Sequence, residues 1–263
     1  MQPLRHLALL LALGTLLFSL NLGGYDIAAP DEPRYAQAAR EMMRSGDYVV
    51  PRVNGETYLE KPPLLFWSMA AASWPVGDVT AITARIPSVV SGLVTVVLTY
   101  ALAHHLFGAR VAFWAALILM TTARVWWQAR FGQIDMLLTA LLTASLYALW
   151  RWEEDRRPGW LVVVYGGMGL GLLAKGPPAL MFPLLLIAAF YWRNPDARRG
   201  TWWLTGALAA LALALVWFIP ARLLGAETAE AAVQGGIAEN LWRNTIGRAL
   251  LGVSKAQPPW YYL

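Results

Sequence analysis

No cysteine occurs among the 263 residues, so the chain has no disulfide framework, no zinc–thiolate site and no thiol nucleophile. Charge is scarce as well. Asp, Glu, Lys and Arg make up 14% of the chain, against about 25% in an ordinary soluble domain. The three histidines, His6, His104 and His105, flank apolar runs and form no His-rich metal box. There is no P-loop, no G-x-G-x-x-G after a strand and no G-x-S-x-G elbow, which removes the commonest nucleotide-binding and hydrolase signatures. No internal repeat, low-complexity tract or soluble-domain boundary is visible.

What is present is apolar. Hydrophobic residues account for 58% of the chain and mean hydropathy is +0.46, which excludes disorder. The 22 glycines and 16 prolines follow no G-X-Y period, which excludes collagen. A net charge of +5 raises the possibility of nucleic acid. The basic residues, however, lie between apolar runs instead of on one polar face, so membrane topology accounts for them and no nucleic-acid partner is expected. The composition specifies an all-α integral membrane protein.

A spanning helix needs about 20 mostly apolar residues. Seven segments qualify as candidates: Leu4–Leu22, Ile82–Leu106, Val111–Ala123, Ile134–Trp150, Trp160–Leu173, Pro178–Trp192 and Trp202–Ile219. The third, fifth and sixth are short and must borrow neighbouring polar residues or tilt less. Leu4–Leu22 has a signal-peptide alternative, with Arg5 as its basic flank, but no small-x-small site follows at Asn21–Gly24. With the N-terminus cytoplasmic, the inner segments hold Arg5, Arg110, Arg151, Arg156, Arg157, Arg193, Arg198 and Arg199. The short outer turns hold only Arg124, Arg130 and Lys175, the asymmetry that sets orientation. Residues 23–81 and 222–263 then form two outer loops. Trp126, Trp127, Trp202, Trp203, Trp260, Tyr261 and Tyr262 fall near span ends as interfacial aromatics do. Gly166–Gly171, within the fifth span, predicts close helix packing rather than phosphate binding.

The first outer loop is structured. Pro30-Asp31-Glu32-Pro33 is a helix-start signature, a capping acid with Pro in the first turn. Tyr35, Ala38, Ala39, Met42 and Met43 recur at helical spacing, opposite Gln37, Arg40, Glu41 and Arg44, and Gly46 ends the run. This predicts an amphipathic helix on the membrane surface. Pro62-Pro63 opens a second apolar segment, Leu64–Trp74, too short to span.

Carboxylates single out one face of the membrane. Glu153, Glu154, Asp155, Asp196, Glu227 and Glu230 read as solvated loop charges. Asp31, Glu32 and Glu60 adjoin apolar segments of the outer loop, and Asp135 opens the fourth span from the outer side. An ionised group within a span costs about 2.5–3.5 kcal/mol on insertion scales, so it faces a cavity or a partner. For Asp135 the alternatives are a capping acid paired with Arg124 or Arg130, or a cavity residue. Lys175, before Gly176-Pro177-Pro178, is either a snorkelling lysine or part of the same cavity. Glu60-Lys61, fixed ahead of Pro62-Pro63, reads as a rigid site wall. Acids and cations gathered on one membrane surface suit a reaction in which a lipid-borne phosphate departs and a hydroxyl loses a proton. Cations stabilise the leaving oxygen and a carboxylate takes the proton.

Five ordered blocks carry a resemblance over about 150 residues: Asp31-Glu32-Pro33-Arg34-Tyr35; Gly46-Asp47-Tyr48 through Pro51-Arg52 to Asn54-Gly55, then Tyr58 to Glu60-Lys61-Pro62-Pro63; Ala84-Arg85-Ile86-Pro87-Ser88; Gln133-Ile134-Asp135-Met136; and Ala174-Lys175-Gly176-Pro177. Together they resemble the N-terminal half of GT-C membrane glycosyltransferases, the aminoarabinose (lipid A) transferase and protein O-mannosyltransferase-like group. The resemblance implies a GT-C-like fold of about seven spans. It implies an inverting transfer of sugar from a polyprenyl-phosphate carrier to lipid A, a protein or another glycan on the outer face of a bacterial inner membrane. Carried over by position, Asp31 is the catalytic acid of the Asp-Glu motif and Asp135 a second acid in the cavity. Arg34, Lys61 and Arg248 hold the donor phosphate, with Lys175 at the wall and Glu32 beside Asp31. Glu60 matches a residue near a divalent metal and is the one candidate metal ligand, since no His completes a pair around Trp242-Arg243-Asn244. The resemblance also implies further spans, in a C-terminal half belonging to this protein or to a separate partner. A carrier binder or transporter without chemistry is the alternative, disfavoured because charges cluster at one surface and no repeat is visible.

Overall fold

The computed structural model describes residues 2–27, 31–193 and 202–226. Ten helices appear among the described residues: α1 (Gln2–Ser19), α2 (Glu32–Ser45), α3 (Leu64–Ser73), α4 (Ala81–Phe107), α5 (Ala109–Thr121), α6 (Ala123–Arg130), α7 (Ile134–Asp155), α8 (Gly159–Lys175), α9 (Pro178–Arg193) and α10 (Trp202–Ala226). The two short strands are β1 (Arg52–Val53) and β2 (Glu56–Thr57).

Every expected apolar run is helical, but they differ in reach. Among the described residues α1, α4, α7 and α10 are long and apolar enough to cross a membrane. A fifth span requires α5 and α6 to be taken together, and these are bent by 64° against each other. At about 1.5 Å per residue, the 17 residues of α8 and 16 of α9 reach about 24–26 Å, short of a hydrocarbon core of about 30 Å. The α10 helix runs past the expected end at Ile219, through Pro220, to Ala226. Pro220 marks a stop in the sequence, but the continuation Ala221-Arg222-Leu223-Leu224 stays mostly apolar and the helix carries the proline within it.

Contacts sort to two ends of the bundle. At one end Glu153 accepts from the Tyr191 hydroxyl at 3.0 Å, Asp155 from the Trp160 indole at 3.1 Å, and Glu154 pairs with His105. These acids, expected as solvated loop charges, sit in the last turn of α7 and tie α4, α8 and α9 to it. At the other end the described parts of the loop between α1 and α4 pack over the helix tips. The indole of Trp217 donates to the Val49 carbonyl at 2.9 Å, fixing α10 to that loop.

The amphipathic α2 turns its apolar side onto protein rather than lipid. Tyr35, Ala38, Ala39 and Met42 pack with Leu65, Phe66, Met69 and Ala70 of α3, and with Val79, Ala84, Ile134 and Ala174 from the tips of the spans. The physical reason is α3 itself: apolar all round and ten residues long, it can neither span nor remain wet, and it supplies the surface that α2 covers. Arg40 of α2 clamps the entry to α4 by donating to Asp78 at 2.8 Å and to the Val79 carbonyl. That hydrogen bond from Arg40 holds the Asp78 carboxyl below the usual carboxylate range.

The glycines of α8 are packing positions. A Cβ on Gly167 would lie 2.2 Å from Ser145 Oγ and 3.0 Å from the Leu141 carbonyl of α7; one on Gly169 would lie 2.7 Å from Leu213 of α10. Gly167→Val is therefore expected to destabilise the protein by roughly 1–3 kcal/mol through overpacking, read as a lower unfolding midpoint in detergent. Gly166, with open space around its Cβ position, should accept Ala without such a drop.

Candidate functional site

The loop-covered end of the bundle collects most of the ionisable residues singled out from the sequence. Asp31 occupies the N-cap position of α2, and its backbone carbonyl accepts from Tyr35 N–H at 3.1 Å. Its side chain makes no capping bond, contrary to the expectation of a capping acid. Pro33 in the first turn already removes one donor that a cap would serve, so the half-buried carboxylate is left to the space beside Tyr35, Tyr58 and Arg34.

Tyr35 locates the two acids relative to each other. Its phenol is 3% exposed, and burial first, then the charge of Asp31, raises its pKa; Tyr58 and Asp135 add to the rise. Asp31 from the start of α2 and Asp135 from the start of α7, 104 positions apart by their numbers, thus act on one hydroxyl. Tyr58 responds similarly. Burial, then Glu60, pushes it up to about 12, while Arg34 is hydrogen-bonded to its hydroxyl. Both phenols are neutral hydrogen-bond donors at any physiological pH. Glu60 is exposed and Lys61 half-buried, immediately before Pro62 and Pro63, and Pro63 leads into α3.

Asp135 pairs with Lys175, at the end of α8. This decides between the alternatives open in the sequence. Arg130 instead donates to the Leu17 carbonyl at 3.0 Å and lies over the Trp126 ring, and Arg124 is placed to donate to Gln128. Both side chains of the Asp135–Lys175 pair remain more than a third exposed, so the pair borders open space and each member can be offered to a ligand.

Glu32 does not share that space. It is fully buried and forms a fork with the equally buried Arg85 of α4, at 2.9 and 3.0 Å. It also accepts from the Gly132 N–H at 2.8 Å. The Arg85 guanidinium donates further to the carbonyls of Leu22, Tyr25 and Asp26 at 2.6, 3.0 and 2.9 Å and covers the Tyr25 ring at 4.0 Å. Adjacent acids therefore have opposite surroundings, Asp31 at the open space and Glu32 inside the wall. Sequence reasoning passed over Arg85, Tyr35 and Tyr58 as individual site residues. For Arg85 a signal existed: a charge inside a predicted span is itself a reason to look for a partner.

Arg248 and the Trp242–Asn244 segment lie outside the described residues. Among the described residues no group of three or more His, Asp or Glu side chains forms a metal cage. Glu60 belongs to no such group among them.

The arrangement offers an anion two cations, Arg34 and Lys175, beside the carboxylates of Asp31 and Asp135, and Lys61 follows Glu60 in the adjoining loop. The family described as dolichyl-phosphate-mannose-protein mannosyltransferase matches residues 60–223. An undecaprenyl phosphate-alpha-4-amino-4-deoxy-L-arabinose arabinosyl transferase of Pseudomonas fluorescens is 31% identical over 219 residues, covering 81% of this chain and 37% of the relative. The crystal structure of ArnT from Cupriavidus metallidurans bound to undecaprenyl phosphate superposes with a TM-score of 0.75 at 26% identity, over 84% of this chain and 42% of that one. The Saccharomyces cerevisiae Pmt1–Pmt2 protein O-mannosyltransferase complex bound to the sugar donor has a TM-score of 0.64 at 17% identity, over 89% and 34%, a likeness of fold alone. The chain is thus an integral membrane protein of GT-C-like fold. It spans about two fifths of the length of the curated relatives it matches.

Proposed function

The chain belongs to the dolichyl-phosphate-mannose-protein mannosyltransferase family, and on that premise we propose that it provides the donor site of an inverting glycosyltransferase using a polyprenyl-phosphate-linked sugar. The observation that carries this reading is the convergence of Asp31 and Arg34 of α2, Asp135 of α7, Lys175 of α8 and the Tyr58–Glu60 loop on one end of the bundle.

In the proposed reaction an acceptor hydroxyl attacks the anomeric carbon on the face opposite the carrier. Its proton passes to the Asp31 carboxylate, which lies free of its own helix. The bond between the anomeric carbon and the phosphate oxygen breaks, and its electron pair leaves with polyprenyl phosphate. Arg34 and Lys61 stabilise the charge that develops on that oxygen. A phosphate leaves as an anion without a proton, so the reaction needs no general acid. Asp135, held by Lys175, borders the same space and serves the sugar or the acceptor. The acceptor is a lipid A-type lipid, a protein or another glycan. The family's C-terminal portion, whether on this chain or a partner, completes its site. With the N-terminus cytoplasmic, as the arginine distribution supports, this end faces the periplasm of a bacterial inner membrane.

Membranes containing the protein, given radiolabelled polyprenyl-phosphate sugar and a mixed lipid and protein acceptor pool, are expected to release free polyprenyl phosphate. Retention of the donor without release would favour a carrier-binding protein without chemistry. Lys61→Gln removes a charge-assisted bond worth about 1.5–3 kcal/mol. Donor affinity, read as binding of polyprenyl phosphate to purified protein, is expected to fall by the corresponding factor of roughly 10–150. Unchanged affinity would remove Lys61 from the site.

A further inference from the structure

We infer that Arg85 is a positioning residue whose buried fork with Glu32 sets the separation of Asp31 and Asp135. The inference rests on the reading of these two acids as members of one site. It goes further in naming what holds them in register.

Arg85 has the largest fully buried side chain among the described residues, and its bonds run to separate segments. One side of the guanidinium holds the link between α1 and α2 through the Leu22, Tyr25 and Asp26 carbonyls. The other holds Glu32, the residue after Asp31. Through Glu32 Oε1 the network reaches the Gly132 N–H, three residues before Asp135. A planar donor meeting a carboxylate through two parallel bonds fixes orientation as well as distance, and no lysine reproduces that geometry. Gly132 is part of the device. A Cβ there would meet Met69 Cε at 2.8 Å, the Ala84 carbonyl at 3.0 Å and Glu32 Cγ at 3.3 Å, so any side chain pushes the turn before α7 away from Glu32. Arg85 itself has no direct role in transfer, since it is wholly enclosed.

The chain lacks cysteine, so spin labels can be placed uniquely at Arg44→Cys on α2 and Thr139→Cys on α7, both exposed. In the whole chain in nanodiscs, the label pair is expected to give one narrow distance distribution, broadened by Arg85→Lys and displaced by Gly132→Ala. Misplacement of reacting groups by about 1 Å costs on the order of 10²-fold. In unlabelled protein both variants should therefore lose roughly 10–100-fold in kcat while the KM for donor stays within about twofold. Unchanged distances and turnover in both variants would overturn the inference. So would a donor KM that rises in step with the fall in kcat, because a collapsed loop would lose carrier binding too. If Arg85→Lys does not fold, Gly132→Ala, which leaves every charge in place, carries the test. If the parent protein transfers no sugar, the functional reading fails, and the spin-label distances alone still decide whether the fork holds the two segments.

Discussion

Asp31→Asn is expected to lower sugar transfer by about 10²–10⁴-fold, the range a general base contributes, and to leave the protein folded. The substitution changes one atom and removes the proton acceptor while keeping the side-chain volume. Asp31 is an N-cap residue only by position, since its side chain makes no capping bond. The usual reason for an Asp at a helix start to matter for stability is therefore missing, and Asn is at least as good a cap. Tyr35 and Tyr58 both sense the Asp31 charge, and removing it eases their ionisation, but burial, the larger cause, still keeps both phenols neutral. Thermal midpoint and affinity for polyprenyl phosphate should thus stay close to the parent values while release of carrier phosphate from labelled donor nearly ceases. Full turnover in purified Asp31→Asn would sink the assignment of the base. An equal loss of carrier affinity would move Asp31 from proton transfer to donor binding.

The parts of this arrangement that could be read from the chain are those written in local pattern. Apolar runs of about 20 residues locate helices because lipid leaves the backbone no other way to satisfy its hydrogen bonds, and all seven runs are helical. The start of α2 at Glu32 and its end at Gly46, which adopts φ 73, follow from Pro placement and from glycine's freedom in the left-handed region. What depended on long-range pairing was not legible. The partner of Asp135 was open between local arginines and a cavity, and the answer, Lys175, lies 40 residues away. The break between α5 and α6 at Thr122, which has an extended backbone, has no Pro or Gly to announce it. The hairpin of β1 and β2 turns on Asn54-Gly55, both at positive φ, a pair favoured in two-residue turns. Even so, its anchoring to α2 by Glu41, which accepts from both N–H groups at 2.6 and 3.1 Å, is a tertiary fact. The roles of Asp31 and Glu32 were the hardest to separate. Neighbouring residues at a helix start point about 100° apart, and only the position of α4 decides which of them meets Arg85.

That division makes the second large effect a loss of folding instead of a loss of turnover. Glu32→Leu replaces the carboxylate by an apolar side chain of similar size, and so leaves the Arg85 guanidinium fully buried without its counter-charge and the Gly132 N–H without its acceptor. Removing one partner of a buried ion pair costs about 3–5 kcal/mol, because the charge left behind can neither reach water nor shed its proton. The three carbonyls that Arg85 also meets offset part of its desolvation but none of its charge. Most of the Glu32→Leu protein is therefore expected to fail insertion, or to unfold in detergent at a midpoint well below the parent. Glu32→Gln retains an acceptor for Gly132 and a dipole for Arg85 and should fall between the two. Since both partners are shielded from solvent, added salt should leave these differences unchanged, unlike those of an exposed pair. Unfolding midpoints for parent, Glu32→Gln and Glu32→Leu at low and high ionic strength make the measurement. A parent-like midpoint for Glu32→Leu would mean that the fork contributes no net stability, and that the carbonyls of Leu22, Tyr25 and Asp26 suffice to hold Arg85 in place.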